Sequence, residues 1–199
     1  MTAALAMACS GGDGRGAASP GPASSSVSPP SGSPQPSASA TESSDPGGNE
    51  PTDVVTVTDE RGRATARGEV PGYVGLSEAE VRGTLDELTF RIVLAGRIPS
   101  SVGRTETVRL TVGVLAENGD RYSLYAQGSQ DGWAGYAVGG KEGPFPGDLE
   151  VRRRRMTLSM PRDYFGSLPS FRWLVNVAFG KGNAYGFDAL PEEGYARFP

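Results

Sequence analysis

The stretch Phe171-Arg-Trp-Leu-Val-Asn-Val-Ala-Phe179 decides the fold class. Its largest apolar side chains recur at every second position, at Phe171, Trp173, Val175, Val177 and Phe179. Successive side chains of a β-strand point to opposite faces of a sheet, whereas a helix needs apolar residues three or four positions apart. The spacing therefore predicts a β-strand with one buried face.

The same period of two, or a short apolar run, recurs along residues 52–199. It predicts further strands at Val54–Thr58, Leu88–Leu94, Thr107–Val114, Arg121–Gln127, Leu149–Arg152 and Met156–Met160. Glu117-Asn118-Gly119-Asp120 has the composition of a tight hairpin turn between two of them. Short strands separated by Gly, Pro and Asp turns predict an all-β domain, an antiparallel β-sandwich.

One segment also fits a helix. Ser77 and Glu80 have the spacing of a capping box at the start of Ser77–Glu87. Gly83 inside the segment disfavours a helix. We predict a strand near Ala79–Thr84 instead, with a turn at Asp86-Glu87.

Residues 10–51 differ in composition from the rest of the chain. Of these 42 residues, 33 are Ser, Pro, Gly or Ala, and every Phe, Tyr and Trp of the protein follows them. Such a segment cannot bury enough apolar surface to offset the entropy lost on ordering. We therefore predict a disordered N-terminal tail that acts as a stalk, and a β-sandwich domain over residues 52–199.

The N-terminus suggests a lipid anchor. Leu5-Ala-Met-Ala-Cys9 resembles a bacterial lipobox, and Cys9 is the only cysteine. The resemblance implies diacylglyceryl transfer to the Cys9 sulfur and cleavage before it. No charged residue precedes Cys9 and the apolar run is short, so we interpret residues 1–9 as a truncated lipoprotein signal segment. An ordinary Ala-rich terminus is the alternative. No stretch approaches the ~18 apolar residues of a membrane span, so lipid alone would attach the protein to the membrane surface.

Charge and composition narrow the function classes. The chain has a net charge of −4 and no histidine. The lack of histidine removes the commonest general base and the usual zinc ligand. Acidic and basic side chains nearly balance over residues 52–199, so we expect no nucleic-acid partner. No cofactor signature occurs.

Gln130-Asp-Gly-Trp-Ala-Gly-Tyr136 is the first candidate ligand site. We predict a polar, glycine-rich loop here. Aromatic side chains on sandwich loops stack on sugar rings, so Trp133 and Tyr136 would hold the ring while Asp131 and Gln130 bind hydroxyls. The alternative is that Trp133 folds back onto the core.

Arg152-Arg153-Arg154-Arg155 is the second candidate, a patch for an anionic partner. Four guanidinium groups can bind lipid phosphate, teichoic-type polymers or an acidic protein. The alternative is a solvated hairpin tip between the strands on either side.

Carboxylates offer a third possibility. Sandwich loops often bind calcium, and the candidates here are Asp59, Asp131, Asp148 and Asp188. No Asp-x-Asp-x-Asp spacing occurs among them, so we predict no metal site.

Four motifs carry a family resemblance: Asp59-Glu-Arg-Gly62, Pro71-Gly-Tyr73-Val74, Leu88-Thr-Phe90-Arg-Ile92 and Asp188-Ala-Leu-Pro191-Glu-Glu-Gly194-Tyr195. Together they resemble the sandwich domains of actinobacterial secreted lipoproteins, which are similar in outline to the DOMON and family-9 carbohydrate-binding group. In that pattern acidic residues are expected at positions 63 and 75. This chain has Arg63 and Gly75 there. We therefore expect that these two positions do not bind a metal or a polar ligand, as they would in the relatives.

These observations predict a binding or interaction module that is lipid-anchored on the extracytoplasmic face of the membrane or released from it. A cell-wall glycan and an envelope protein are its two candidate partners. A structural envelope protein that docks on a protein partner is the alternative. A carboxylate-based hydrolase is less favoured, and we expect no enzymatic activity.

Overall fold

The computed structural model describes residues 53–59, 64–140, 145–166 and 168–199, together with the backbone of residues 39–40. Two antiparallel sheets form the described domain, as the sequence predicts. The strands are β1 (Ser39–Ala40), β2 (Asp53–Thr58), β3 (Thr65–Arg67), β4 (Leu76–Gly83), β5 (Glu87–Leu94), β6 (Glu106–Ala116), β7 (Arg121–Ser129), β8 (Gly132–Val138), β9 (Asp148–Arg152), β10 (Arg155–Pro161), β11 (Phe171–Lys181), β12 (Ala184–Leu190) and β13 (Ala196–Phe198).

The six-stranded sheet has the order β1-β2-β4-β5-β10-β9. The seven-stranded sheet has the order β3-β12-β11-β6-β7-β8, and β13 also pairs with β11. Short 3₁₀ helices cover Gly72–Val74 and Arg162–Phe165. No helix among the described residues is long and apolar enough to cross a membrane.

The core lies between the two sheets and follows from the alternation in sequence. Every second residue of β11 is buried, and so is every second residue of β5, β6 and β10. The largest fully buried side chains are Trp173, Phe90, Phe165, Phe171 and Phe198. Both sheets thus contribute one apolar face, which confirms the sandwich.

The segment that also fits a helix is a strand. Residues Leu76–Gly83 form β4 between β2 and β5, and the turn to β5 follows Gly83. The predicted strand is therefore confirmed, although it begins three residues earlier than expected. A Cβ at Gly83 would lie 2.7 Å from Phe198 Cζ, so the glycine gives room for a core ring at the end of this strand.

The predicted loop over residues 130–136 is wrong. Residues Gly132–Val138 form β8, which pairs along its length with β7. Glycine and alanine have low strand propensity and hide the alternation, whereas hydrogen bonding to β7 stabilises the strand. The sequence also gave no signal for β3, β12 and β13.

The N-terminal predictions lie almost entirely outside the described residues. Cys9 and the signal segment belong to that part of the chain. Within the predicted stalk, the backbone of Ser39 and Ala40 pairs with Thr56 and Val55 of β2.

Candidate ligand-binding groove

A tight turn brings Trp133 back against strand β7. Residues 130–131 form the turn, and Gly132 has a φ of +117°, which glycine adopts without strain. Asp131 N donates a hydrogen bond to Ser129 Oγ over 3.2 Å. The register then places Trp133 opposite Gly128.

The indole of Trp133 is half-buried and held on two sides. Its Nε1 donates a hydrogen bond to the carbonyl oxygen of Pro99 over 2.8 Å. A Cβ at Gly128 would lie 2.3 Å from Val102 Cγ2 and 3.2 Å from the indole Cη2. The missing side chain at Gly128 therefore makes space for the indole, whose orientation is fixed before any ligand arrives.

Trp133 lines a groove of about 820 Å³ at one open side of the sandwich. The edge strand of each sheet contributes a wall, because β8 ends the seven-stranded sheet and β9 ends the six-stranded one. The groove is lined by Arg97, Ile98, Pro99, Ser100, Trp133, Leu149, Val151 and Arg153. Apolar side chains at the sheet edges thus meet cationic and polar groups from the loops.

The arginine run forms the predicted hairpin tip. Arg152 pairs with Arg155, and the two-residue turn between them has Arg153 at a φ of 51°. The carbonyl oxygens of Arg153 and Arg154 accept hydrogen bonds from Ile98 N at 2.6 Å and Leu94 N at 2.7 Å. Arg154 Nε donates back to Leu94 O over 2.8 Å. The tip is therefore bonded to the loop that carries Arg97 and Pro99.

The arginines near the groove differ in their ionic partners. Arg152 pairs with Glu150 at 2.5 Å, and Arg91 lies 3.8 Å from both Glu78 and Glu80. Arg97 and Arg153 form no ion pair with any residue that the structure describes, and both are exposed.

Arg153 also lines a second cavity of about 720 Å³, together with Arg91, Val93, Arg152, Arg154 and Arg155.

Tyr136 lies on the other face of β8. Three positions separate it from Trp133, and an odd separation along a strand reverses the side-chain direction. Its ring is 47% exposed and lies 6.0 Å from the ring of Tyr125, measured between centroids. Arg109 lies 5.3 Å from the centroid of the Tyr125 ring. Tyr136 and Trp133 therefore do not face one ligand together.

Gln130 and Asp131 are exposed at the β7–β8 turn. This turn adjoins the groove, because a Cβ at Gly132 would lie 3.5 Å from the carbonyl oxygen of Ser100, a lining residue. The sequence thus identifies Trp133, Arg153 and the neighbouring turn. It missed Arg97 and Ser100, which lie in a loop without any local motif.

Asp188 is buried on β12 and bonded to the backbone. Its Oδ2 accepts a hydrogen bond from Leu76 N at 2.6 Å, and its Oδ1 accepts one from Ala189 N at 2.9 Å. Burial raises the pKa of Asp188; the two N–H groups oppose this, and the charges of Asp59 and Glu192 add to it. The carboxylate connects the two sheets, because Leu76 belongs to β4 and Asp188 to β12.

The other carboxylates do not form a cluster with Asp188 that could bind a metal. Asp131 lies at the β7–β8 turn and Asp148 at the start of β9. Over the described ranges, no group of three Asp, Glu, Cys or His side chains is arranged to hold a metal ion. Glu80, the other buried charged residue among those described, accepts a hydrogen bond from Arg82 Nε at 2.6 Å.

No family model, curated protein or solved structure matches the chain. The groove therefore has to be interpreted from its own chemistry. It combines one oriented indole, apolar side chains from the edge strands of two sheets, and two arginines without an ionic partner among the described residues.

Proposed function

We propose that the domain is a glycan-binding module, displayed outside the cell on a lipid anchor at Cys9. The observation that carries the glycan part is the half-buried Trp133, whose indole is fixed by Pro99 and Gly128 and lines an open groove. An aromatic ring fixed in advance loses little entropy when it contacts a ligand. The apolar face of a sugar ring is a suitable partner for such a surface, since its hydroxyls remain free to bind polar neighbours.

Fluorescence of Trp133 tests this proposal directly. The chain has two tryptophans, and the other one, Trp173, is fully buried. In a Trp173→Phe variant of the full chain, a bound saccharide is expected to shift the emission of Trp133 and to protect it from acrylamide quenching. The titration uses xylan, mannan, chitooligosaccharides and polygalacturonate as probes. Trp133→Ala, made in the wild-type background, is expected to weaken binding by about tenfold or more in affinity electrophoresis.

Tyr136→Ala is the matched control, because it removes an aromatic ring from the same strand on the opposite face. It is expected to leave saccharide affinity within about twofold of wild type, far below the loss typical of a binding hot spot. Thermal unfolding of each variant checks that the fold is retained. If no saccharide protects Trp133, or if both variants lose binding equally, the glycan proposal is wrong.

A protein partner is the second candidate, and one specific observation favours it. The outer face of the seven-stranded sheet carries exposed apolar side chains on β8 and β12, namely Tyr136, Val138, Tyr185 and Phe187. The strands β11, β6 and β7 separate the two pairs, so the apolar group relevant here is Tyr136 and Val138 at the β8 edge, beside Tyr125. A contiguous exposed apolar group is typical of docking sites. Under this candidate Tyr136→Ala would abolish partner capture and Trp133→Ala would not, which is the reverse of the pattern expected for a glycan.

The anchor at Cys9 has its own test. In an actinobacterial host, mass spectrometry of the membrane fraction is expected to find a mature N-terminus at Cys9 that carries a diacylglyceryl group. Cys9→Ala is expected to leave the protein unprocessed and without lipid. An unmodified Cys9 in a full-length chain would refute the anchor without affecting the glycan proposal, since the two proposals rest on different residues.

A further inference from the structure

We infer that the groove selects an anionic saccharide polymer, one that carries carboxylates or phosphates. This inference rests on the proposed function, because it names the class of glycan that the same groove would take. It follows from the arginines that the neighbouring loops bring beside Trp133.

Cationic charge without an ionic partner among the described residues is the first reason. Two acidic side chains of this region are engaged elsewhere, since Glu150 pairs with Arg152 and Glu80 with Arg82. Asp131 at the adjoining β7–β8 turn is exposed and forms no ion pair with a described residue. Arg97 and Arg153 line the groove and form no ion pair within the described part of the chain. Guanidinium groups present a planar set of donors that matches carboxylate and phosphate oxygens.

The second reason is that the backbone segments that carry the two arginines are bonded to each other. Arg97 lies in the loop after β5, and Arg153 lies at the tip of the β9–β10 hairpin. Three hydrogen bonds join loop and tip: Leu94 N to Arg154 O, Ile98 N to Arg153 O, and Arg154 Nε to Leu94 O. The backbones that carry both charges are therefore fixed relative to each other, and binding costs less ordering entropy.

The third reason is continuity. Arg153 lines the groove and also the adjoining cavity, where Arg91, Arg152, Arg154 and Arg155 lie. A polymer with charges at regular intervals could place one ring against Trp133 and its next charged units along this arginine-rich surface. A small neutral sugar would contact the indole and nearby polar groups but would carry no charge to pair with the guanidinium groups.

Paired ligands that differ only in charge provide the test. Polygalacturonate is compared with its methyl ester, and a phosphomannan with the same mannan after removal of phosphate, using the wild-type full chain. We expect each acidic polymer to bind at least about tenfold more tightly than its neutral counterpart. The carboxylate and phosphate pairs distinguish the two possible sources of charge. The preference is expected to shrink between about 50 mM and 500 mM NaCl, because salt screens exposed charges.

The matching variant is Arg97→Ser combined with Arg153→Asn. Asn tolerates the left-handed backbone at position 153 better than most residues. We expect the preference of the variant for acidic over neutral polymers to fall to about twofold or less, because its affinity for the acidic polymers drops further than its affinity for the neutral ones. Arg67→Ser with Arg172→Ser is the control, because it removes the same charge from β3 and β11, away from β8. The control is expected to retain the preference.

The possible outcomes separate this inference from the proposed function. Equal binding of acidic and neutral polymers would overturn the inference and leave the glycan-binding proposal standing. The inference is also overturned if polyglutamate or vesicles with anionic lipid bind as tightly as the acidic polysaccharides and Trp133→Ala does not weaken that binding. A cationic surface without any sugar specificity would then explain the data. Loss of all saccharide binding would overturn the proposed function itself.

Discussion

Replacing Trp173 with alanine is expected to lower the free energy of unfolding by about 3–5 kcal/mol, the range for deleting a large aromatic side chain from a packed core. Trp173 is the largest of the fully buried side chains and lies on β11, the strand whose alternation predicts the fold. Its neighbours in the register are Val114 on β6 and Ala196 on β13. Chemical denaturation at neutral pH measures the loss.

Trp173→Phe is the matched variant. The indole Nε1 of Trp173 is buried and has no hydrogen-bond partner among the residues that the structure describes. An unpartnered buried donor costs about 1–3 kcal/mol, so phenylalanine removes that penalty and keeps much of the packing. We expect its destabilisation to be less than half that of alanine. Equal losses for the two variants would mean that the indole N–H is in fact bonded.

Replacing Asp188 with alanine is expected to have the second largest effect on stability. The change leaves Leu76 N and Ala189 N without their acceptors. Each buried donor left unsatisfied costs about 1–3 kcal/mol, partly offset because a buried carboxylate no longer has to be desolvated. We expect a net loss of about 2 kcal/mol in denaturant unfolding. Asp188→Asn keeps one acceptor oxygen and should lose less stability than Asp188→Ala. If Asp188→Ala is as stable as wild type, the two hydrogen bonds from Leu76 N and Ala189 N to Asp188 are refuted.

The stability of the wild type should also depend on pH through Asp188. Because burial raises the pKa of Asp188 in the folded state, the folded domain holds this proton more tightly than the unfolded chain does. The stabilisation that results from this difference is fully present below the pKa that Asp188 has in the unfolded chain. It is lost as the pH rises through the pKa of Asp188 in the folded domain. Asp188→Ala removes this contribution, so the destabilisation that it causes should shrink over that rise. A difference that stays constant or grows with pH would contradict the raised pKa.

The fold class could be predicted because the decisive signal is local. Alternation in β5, β6, β10 and β11 marks one apolar face on each strand, and two such faces bury each other. Strands β8 and β12 escaped prediction for physical reasons. Gly and Ala dilute the pattern of β8, and in β12 two of the buried positions hold Gly186 and the charged Asp188. Pairing with β7 stabilises β8, and pairing with β11 stabilises β12. The sequence of one strand does not show which other strand it pairs with.

The candidate site could be predicted only in pieces. The sequence singles out Trp133 as an aromatic group in polar surroundings, and Arg152–Arg155 as a cationic hairpin tip. It groups Trp133 with Tyr136, which the strand places on the opposite face. It does not connect Trp133 with Arg153 or Arg97, because no local pattern records that the edges of two different sheets lie side by side.

The sequence by itself determined that the domain, in the part that the structure describes, is an all-β sandwich, because side-chain periodicity follows directly from strand geometry. Only the tertiary structure decided that Trp133, Arg97 and Arg153 share one groove. That arrangement depends on hydrogen bonds from the loop after β5 to the β9–β10 tip and from the indole to Pro99. Contacts between residues far apart in the chain arise only once both sheets have formed, so they have no signature in any short stretch of sequence.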